Sequence, residues 1–387
     1  MHKKILFVIP GLKTGGTNSS LSALYSQIKD KYEITVLPLS NKRNANYSFD
    51  DVALRASFFS EALHINTSDS ITYMKPIVYA IKSIRHLIIK ITGKDLLDLY
   101  YQILAKHIER KSNYDYIVAF EEGCPTQFVS HFKNENKIGW IHCNYNMYCP
   151  KGVNEEPIYS RYKHIICVSK YTSLLFSNRY SSLKNKVRYI YNLIDMNAII
   201  EKSQQVIDDD RFETSSKYIL VSAGRIDSVK RFSIIPKVAR SLLNMGLSFK
   251  WYILGPTVSL VEYKRLQENI TKYDVTKNVV CLGNKKNPFP YFAKSDIYVC
   301  TSESEACPMV FNEAMILKKP VVTTKFGSAS EFIKNGENGR ICDCEELADC
   351  IFDLLSNEDK YREYQKKRID TTIFNENIIA SINSLFV

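Results

Sequence analysis

Two glutamates, Glu305 and Glu313, flank a segment that could bind a ligand. A predicted strand, Ile297–Cys300, ends just before the serine-rich loop that contains Glu305, and Pro308 suits the first position of the helix that would carry Glu313. Amides at a helix N-terminus attract an anion, whereas carboxylates repel anions and accept hydrogen bonds from hydroxyls. A ligand with hydroxyls at both ends and phosphates between them is a nucleoside diphosphate sugar. The carboxylate pair could also be only a helix-capping device.

Cations follow a second predicted strand, Tyr218–Ser222. Gly224 and Arg225 come just after this strand, and Lys230 and Arg231 follow in the same loop. A guanidinium offers a planar fork of donors and an ammonium offers a point charge, so together they could bind a diphosphate. A solvated basic loop would have the same composition.

Paired glycines, Gly15 and Gly16, lie between a first predicted strand, Lys4–Ile9, and a helical pattern that starts at Ser19. Glycines at such a turn let the backbone approach a phosphate or a sugar closely. The spacing is neither G-x-G-x-x-G nor a P-loop, which disfavours an ordinary dinucleotide fold and a P-loop ATPase. The turn could also be merely tight.

The elements that would position these loops are short β-branched runs that alternate with helical patterns, which predicts parallel sheets covered by helices. Residues 195–216, with three consecutive aspartates and few large apolar residues, are interpreted as a linker with a short helix. We therefore expect two doubly wound α/β domains whose strand ends face a shared cleft. The predicted strands are Lys4–Ile9, Glu33–Leu37, Tyr116–Phe120, Lys137–Ile141, Ile165–Val168, Val187–Ile190, Tyr218–Ser222, Phe249–Leu254, Val279–Leu282, Ile297–Cys300 and Pro320–Thr323.

Charge is unevenly distributed along the 387 residues, which include 52 Lys and Arg against 41 Asp and Glu. Up to Leu193 there are 26 basic and 15 acidic residues, and after it there are 26 of each, so the first half carries the whole surplus. A basic half suggests nucleic acid, an anionic membrane or phosphorylated substrates as partners. Because clustered aromatic and basic motifs, helix-turn-helix and zinc-finger spacings are missing, we expect no nucleic-acid partner.

Other classes of protein are disfavoured as well. No run of about 18 uncharged apolar residues predicts a transmembrane helix. The apolar stretch Ile5–Ile9 is too short for a signal-peptide core and predicts a buried strand. The 10 cysteines form no C-x-x-C pair, which favours a reducing cytoplasm, and no metal site is predicted.

One segment, residues 75–91, is typical of a basic amphipathic helix. Its basic residues Lys82, Arg85 and Lys90 lie off an aliphatic face. Such a helix can lie on an anionic bilayer, or it can pack on the sheet of the first domain with its lysine stems along apolar surface. The aliphatic face comprises Ile77, Ile81, Ile84, Leu87, Ile88 and Ile91.

Taken in order, these segments resemble the motifs of a known family. Glu305–Glu313 resembles the E-x7-E motif of retaining GT-B glycosyltransferases, specifically glycosyltransferase family 4. The opening ILFVIPGLKTGGTNSSL is similar to the family's first strand and Gly-Gly loop, SAGRIDSVKR to its phosphate loop, and YILGPT to its IVGDG segment. The resemblance implies the GT-B fold, an α/β architecture of two Rossmann-like doubly wound parallel-sheet domains that face a central cleft.

It also implies a division into domains. Residues 1–193 would form an acceptor-binding domain and residues 194–368 a nucleotide-sugar-binding domain. Residues 369–387 would form a C-terminal helix that packs back on the first domain.

The resemblance assigns roles to the charged residues. Glu313 would accept hydrogen bonds from the ribose hydroxyls, and Glu305 would hold hydroxyls of the transferred sugar. Arg225 and Lys230 would neutralise the diphosphate as it leaves, which is electrostatic stabilisation without a metal. His142, after strand Lys137–Ile141, would lie beside the donor sugar, although a core histidine is an alternative.

Other positions complete the expected site. Thr17 and Asn18, beside the glycine loop, are assigned to the acceptor, and Lys82, Arg85 and Lys90 to a membrane surface. The remaining donor-binding residues would be Gly15, Gly16, Gly224, Gly283, Asn284, Cys307, Pro308, Met309 and Val310.

Five positions depart from the family pattern. Ala306 replaces the usual glycine after the first glutamate, and Cys307 replaces the usual aromatic residue, which leaves the shape of the sugar subsite open. Arg231 replaces the glycine after the phosphate lysine. Lys318 and Lys319 occupy the segment before Pro320 in which the family has a glycine.

The implied reaction is transfer of a glycosyl group from a nucleotide sugar, with UDP favoured, to a hydroxyl, with retention and without cofactor or metal. The expected acceptor is a lipid-linked glycan of capsule, O-antigen or exopolysaccharide synthesis. The enzyme would be cytoplasmic, at the inner face of the cell membrane. A soluble acceptor, and a GT-B-fold epimerase or phosphorylase, are the alternatives.

Overall fold

The chain folds into two α/β units. A computed structural model describes residues 2–12, 15–40, 49, 51, 75–93, 95–213, 215–366 and 371–387. The first unit comprises Met1–Leu193 with Glu376–Val387, and the second comprises Ile194–Asn375. The predicted boundary at residues 368 and 369, and positions 13 and 14 of the glycine loop, lie outside the described residues.

The first unit contains a parallel sheet in the order β2-β1-β3-β4-β5-β6. The sequence predicts all six of these strands, and their ends differ from the prediction by at most one residue. β-Branched and aliphatic runs suit strands that helices cover on both faces. The strands are β1 (Lys4–Ile9), β2 (Glu33–Pro38), β3 (Tyr116–Ala119), β4 (Lys137–Ile141), β5 (His164–Cys167) and β6 (Val187–Tyr189).

Helices connect these strands, and local side chains determine where several of them begin. The Asp95 carboxylate accepts a hydrogen bond from the Leu97 amide, and Ser169 and Thr172 form a reciprocal capping box. The helices are α1 (Gly16–Ile28), α2 (Lys75–Thr92), α3 (Leu96–Lys111), α4 (Cys124–Val129), α5 (Tyr145–Tyr148), α6 (Glu156–Tyr159) and α7 (Lys170–Arg179).

The second unit contains a parallel sheet in the order β12-β11-β10-β7-β8-β9. The sequence predicts all of these strands except β12, a short edge strand that starts with glycine and contains Arg340. The strands are β7 (Tyr218–Ala223), β8 (Phe249–Leu254), β9 (Val279–Gly283), β10 (Ile297–Cys300), β11 (Val321–Thr324) and β12 (Gly339–Cys342).

Helices of the second unit pack around a buried core that includes Trp251, Leu266 and Ile351. The predicted linker contains the first of them, which Asp195 caps through the Ala198 amide. Among the described helices, none has the length and apolar composition needed to cross a bilayer. The helices are α8 (Met196–Ser203), α9 (Ile235–Asn244), α10 (Leu260–Lys272), α11 (Phe289–Lys294), α12 (Met309–Ile316), α13 (Ala329–Phe332), α14 (Leu347–Ser356) and α15 (Glu358–Lys366). A last helix, α16 (Thr371–Asn383), begins in the second unit and ends in the first.

The strand order creates a switch point in each sheet. β1 lies beside β3 and β7 lies beside β10, so strands are added on one side of β1 or β7 and then on the other. Ligands of open α/β sheets bind outside the carboxyl ends of the strands at such points. In the second unit these ends lead into the loops that contain Lys230 and Glu305.

The last residues of the chain pack on the first unit. The Phe386 ring lies edge-on to Tyr32 and Tyr116, with centroid distances of 5.3 and 5.2 Å. Lys3 Nζ donates to the Phe386 carbonyl (2.8 Å), and the Tyr116 hydroxyl donates to the Val387 carbonyl (2.6 Å). The chain end is therefore attached to the β1 and β3 side of this sheet.

Two residues in the segments where the resemblance places glycine have left-handed backbones. The φ angles of Arg231 and Lys318 are 49° and 60°. This conformation costs a non-glycine residue about 1 kcal/mol. At Arg231, side-chain hydrogen bonds offset this cost, because Nε donates to the Thr301 carbonyl (3.1 Å) and Nη2 to the Ser302 carbonyl (3.3 Å). The Lys318 side chain makes no such bond within the described residues.

Replacing Lys318 by glycine should therefore stabilise the second unit. We expect Lys318→Gly to raise the free energy of unfolding by about 0.5 kcal/mol. The free energy gained by relief of the left-handed strain should exceed the entropic cost of folding a more flexible unfolded chain. Urea unfolding measures the change. Lys318→Ala is the control, since it removes the side chain but keeps Cβ, and equal effects of the two variants would contradict this explanation.

Candidate active site

Lys230 and Glu305 form an ion pair at the carboxyl ends of β7 and β10. Lys230 Nζ lies 2.5 Å from Glu305 Oε1, and the two side chains are only 16% and 15% exposed. The Ser302 hydroxyl donates to the same carboxylate oxygen (2.6 Å). Burial disfavours the Lys230 charge, but Glu305, together with Cys300 and Asp227, outweighs this effect and raises the pKa of the ammonium. Lys230 therefore stays charged at neutral pH.

Hydrogen bonds to backbone carbonyls join the two loops that carry this pair. The Glu303 amide donates to the Val229 carbonyl (2.8 Å), and the Thr301 hydroxyl donates to the Lys230 carbonyl (2.7 Å). The Arg231 guanidinium adds its two bonds to the same loop. The loops after β7 and β10 consequently form one structure.

The loop after β10 is also held from the β11 side. The Thr324 hydroxyl donates to the Ser302 carbonyl (2.6 Å), and the Ser328 hydroxyl donates to the Glu305 carbonyl (2.7 Å). These bonds hold the backbone at both ends of the segment from Ser302 to Glu305.

Glycines make room for Lys230. Gly224 has a φ of 152°, and a Cβ there would lie 2.8 Å from Lys230 Cε. Gly255 has a φ of 143°, and a Cβ there would lie 1.8 Å from the Gly224 carbonyl oxygen. The close approach of these two turns lets the Lys230 side chain lie over Gly224.

Arg225 lies at the exposed side of the same loop. Its Nε is 3.3 Å from Asp227 Oδ2, and its side chain is 67% exposed. Asp227 also accepts a hydrogen bond from the Lys230 amide (3.0 Å), so one carboxylate orients both cationic residues. The guanidinium remains accessible to an anion.

Glu313 lies in α12, beyond the start of that helix. Burial raises the pKa of its carboxyl to about 7, and the charge of Lys230 opposes the rise. Pro308 precedes the first helical residue, Met309, and no side chain caps this end of the helix. Cys307, Met309 and Val310 are partly buried here.

The loop at residues 283–285 is held by the segment predicted to be a linker. Lys285 and Arg211 both pair with Asp209, and Arg211 also donates to a carbonyl at the end of β9 (2.9 Å). Arg211, followed by Lys285, holds the pKa of Asp209 well below its ordinary value. Gly283 has a φ of 74° and Asn284 is exposed.

His142 lies in the first unit, directly after β4. Its amide donates to the Glu122 carboxylate (2.9 Å), and its ring lies 4.8 Å from Phe120 and stacks on Trp140. Burial lowers the pKa of the imidazole to about 3, and its Nε2 has no partner among the described residues. His142 is therefore a partly buried, neutral histidine. Burial likewise raises the pKa of Glu122.

The glycine loop of the first unit leads into α1. Gly15 and Gly16 are exposed, and a Cβ at either would meet no described heavy atom within 4 Å. Thr17 is partly buried. Asn18 is buried, and its side-chain Nδ2 donates to the Gly11 carbonyl (3.0 Å). Asn18 therefore holds the loop after β1.

The basic residues of α2 differ in their surroundings. Arg85 forms two hydrogen bonds with Asp95, at 2.7 and 2.6 Å. Lys82 is partly buried and Lys90 is exposed.

No group of three or more His, Cys, Asp or Glu side chains able to hold a metal ion occurs in the part of the chain that the structure describes. Independence from metal remains a prediction.

Comparison with known proteins identifies relatives of part of this chain. Residues 203–370 match the family described as Glycosyl transferases group 1. N-acetyl-alpha-D-glucosaminyl L-malate synthase of Bacillus anthracis is 22% identical over 52% of this chain and 53% of its own. An N-acetylgalactosaminyltransferase of Campylobacter jejuni, whose name specifies a diphospho-undecaprenol substrate, is 27% identical over 50% of each chain. The match thus spans about half the length of these curated relatives.

The fold is recognised over nearly the whole chain. Anabaena HepE, solved with UDP and glucose, superposes with a TM-score of 0.71 and 18% identity over 99% of this chain and 100% of its own. The fold is GT-B. This confirms the predicted pair of Rossmann-like α/β domains. At this identity the likeness concerns the fold alone.

Within the GT-B fold, the second unit brings Lys230, Glu305 and Gly224 into contact, and Arg225 lies beside them. Sequence reasoning missed Ser302, Asp227 and Asp209, which orient these loops. The serine-rich composition before Glu305 was a signal for Ser302. An acidic run in a predicted linker gave no sign that Asp209 would bind Lys285.

The Lys230–Glu305 pair should show strong energetic coupling. We expect Lys230→Met and Glu305→Gln each to lower the free energy of unfolding by about 2 kcal/mol, because each leaves a charged or polar partner uncompensated. The loss of unfolding free energy in the double variant should be smaller than the sum of the two single losses by about 1–2 kcal/mol. Urea unfolding of the four proteins gives the coupling energy.

The exposed pair Lys264–Glu268, at 3.9 Å with side chains 81% and 64% exposed, is the matched control. Its coupling should be below about 0.5 kcal/mol. Equal coupling in both pairs would show that Lys230 and Glu305 do not interact as described.

Glu313 should make stability depend on pH. Its pKa is raised from an ordinary value of 4.5 to about 7, so the folded chain holds the proton more tightly than the unfolded chain. The resulting cost of ionisation is absent below pH 4.5, grows as pH rises, and is complete above about pH 7. Glu313→Gln should therefore gain stability relative to wild type over this range, by about 2 kcal/mol. Urea unfolding at several pH values tests this, and a constant difference would contradict it.

Proposed function

We propose that this chain is a retaining GT-B glycosyltransferase of family 4 that transfers a sugar from a UDP-sugar to a hydroxyl without a metal ion. The observation that carries the proposal is the Lys230–Glu305 pair at the β7–β10 switch point, within a segment that matches Glycosyl transferases group 1. UDP is favoured because the GT-B neighbour HepE is solved with UDP and glucose.

The residues of the second unit suit a diphosphate leaving group. Arg225, 67% exposed, would bind its outer oxygens, and Lys230 would neutralise the charge that develops on departure. Glu305 would then accept hydrogen bonds from hydroxyls of the sugar. The amides of Met309 and Val310 would add donors at the start of α12.

Glu313 suits the ribose. A carboxyl whose pKa lies near 7 exchanges its proton easily at neutral pH. Ribose hydroxyls would donate to the ionised form and stabilise it, so nucleotide binding would lower the pKa of Glu313. The 283–285 loop, held by Asp209, would lie near the base.

Retention would follow from attack on the face that the phosphate leaves. The bond from the anomeric carbon to the phosphate oxygen breaks as the bond to the acceptor oxygen forms, and the acceptor proton passes to the departing phosphate. No carboxylate acts as a nucleophile in this scheme. Catalysis then consists of positioning and charge stabilisation.

The first unit would bind the acceptor. Gly15, Gly16 and Thr17 would approach the ligands at the end of β1, and His142 would lie beside the donor sugar as a neutral group. A lipid-linked glycan of surface-polysaccharide synthesis is the favoured acceptor, since the C. jejuni relative's name specifies diphospho-undecaprenol. A soluble acceptor is the second candidate, because the name of the B. anthracis relative contains L-malate.

UDP release from UDP-sugars tests the proposal, with a polyprenyl-diphosphate-linked sugar or L-malate as acceptor. Arg225→Ala should lower kcat about 100-fold, because one charge that stabilises the leaving group is lost. Activity should survive EDTA, and proton NMR of the product should show the donor's anomeric configuration.

Arg265→Ala is the matched control, because Arg265 is 59% exposed and pairs with Glu262 in the same unit. It should keep wild-type turnover. Equal rates in Arg225→Ala and wild type would contradict the diphosphate assignment. Inversion in the product or loss of activity in EDTA would contradict the mechanism, and equal UDP release without acceptor would contradict transfer.

A further inference from the structure

The outward side of α2 carries large apolar side chains. Tyr79, Ile84, Leu87 and Ile91 are 56%, 54%, 56% and 73% exposed. The last three follow one another at spacings of three and four residues, so they form a stripe along the helix. Contiguous exposed apolar surface on a soluble unit marks a site of interaction.

This arrangement corrects the aliphatic face expected from the sequence. Ile81 and Ile88 are partly buried, and Ile81 packs against the core of the first unit. Ile84, Leu87 and Ile91 lie on the solvent side, and the Ile77 side chain lies outside the described residues. The helix is therefore attached through one edge of its aliphatic surface while the other edge is exposed.

The charges beside the stripe are all basic. α2 contains no acidic residue. Within the described residues, no carboxylate lies at ion-pair distance from Lys82 or Lys90. Arg85 is different, because Asp95 binds it in a two-point contact that joins α2 to the start of α3. The assignment of Arg85 to a membrane surface is thus replaced by a role within the fold.

A shallow depression of about 580 Å³ lies on the same side of α2. Lys82, His86 and Lys90 line it together with Tyr79 and Leu87. Two lysine cations at a depression beside an apolar stripe match the arrangement of a lipid, whose anionic headgroup adjoins acyl chains.

We propose that this surface, the α2 outer face formed by Tyr79, Lys82, Ile84, Leu87, Lys90 and Ile91, binds an anionic lipid bilayer. Ile84, Leu87 and Ile91 enter the boundary between headgroups and acyl chains. Lys82 and Lys90 contact lipid phosphates. Arg85 keeps the helix oriented by its contact with Asp95.

Charge complementarity selects the bilayer over a second copy of this chain. A two-fold symmetric contact would place the same surface on both sides and bring Lys82 and Lys90 of two chains together. α2 supplies no carboxylate to compensate them, whereas an anionic bilayer does.

If the acceptor is the lipid-linked glycan of the proposed function, the α2 outer face would hold the enzyme at the bilayer that contains it. Only this link to the acceptor rests on the proposed function. Binding to lipid itself requires neither donor nor acceptor. Vesicle binding and donor binding are therefore measured separately, and failure of one leaves the other standing.

Flotation with vesicles of phosphatidylcholine, alone or with a third of phosphatidylglycerol, tests the proposal without nucleotide sugar. Wild type should float only with the anionic vesicles, and less at high salt. Lys82→Gln/Lys90→Gln should lower the partition coefficient about 25-fold, or about fivefold for each lysine. Leu87→Asp should lower it about tenfold or more.

Lys264→Gln and Val261→Asp are matched controls, since these residues are exposed on α10 of the other unit (81% for the Lys264 side chain and 68% for Val261). They should bind vesicles like wild type, and circular dichroism should show that every variant is folded. Wild-type binding by the double lysine variant or by Leu87→Asp would overturn the proposal. So would a wild-type dimer that Leu87→Asp dissociates and that does not float.

Discussion

The site depends on the attraction between Lys230 and Glu305. Two charges that are 15–16% exposed lose much of their hydration, so they are stable only with good geometry and additional hydrogen bonds. Ser302 supplies one of these bonds to the carboxylate, and Arg231 and Thr301 hold the surrounding backbone. Under the proposed function, the cation for the diphosphate and the carboxylate for the sugar are thus held in place before the donor arrives, which is the preorganisation that electrostatic catalysis needs.

This attraction joins residues that are 75 positions apart, and sheet topology makes the contact possible. β8 and β9 extend the sheet on one side of β7, and β10 then returns to its other side. The loops after β7 and β10 are consequently neighbours at the carboxyl edge. A strand added next to β9 instead would have separated the two charges by the width of three strands.

The sequence predicted most of the fold, because buried parallel strands leave apolar, β-branched runs that can be recognised locally. It missed β12, whose short edge position requires little apolar sequence. It also could not show that Arg231 adopts a left-handed backbone, because the carbonyls of Thr301 and Ser302 that compensate it come from a distant segment. Asp209 was hidden for the same reason, since its partner Lys285 belongs to another loop. Local signals predict elements, whereas contacts between loops depend on the assembled sheet.

The role of each charged residue likewise depends on its contacts in the folded chain. The net surplus of +11 in the first half does not show which cations are paired: Asp95 neutralises Arg85, whereas no carboxylate of the described residues lies at ion-pair distance from Lys82 or Lys90. Only unpaired cations beside apolar surface can add Coulomb attraction to apolar burial on a bilayer. Conversely, the second half is neutral overall, yet Arg225 is 67% exposed and able to bind a phosphate. The partner of each unit is therefore determined by which charges the fold pairs internally and which it leaves at the surface.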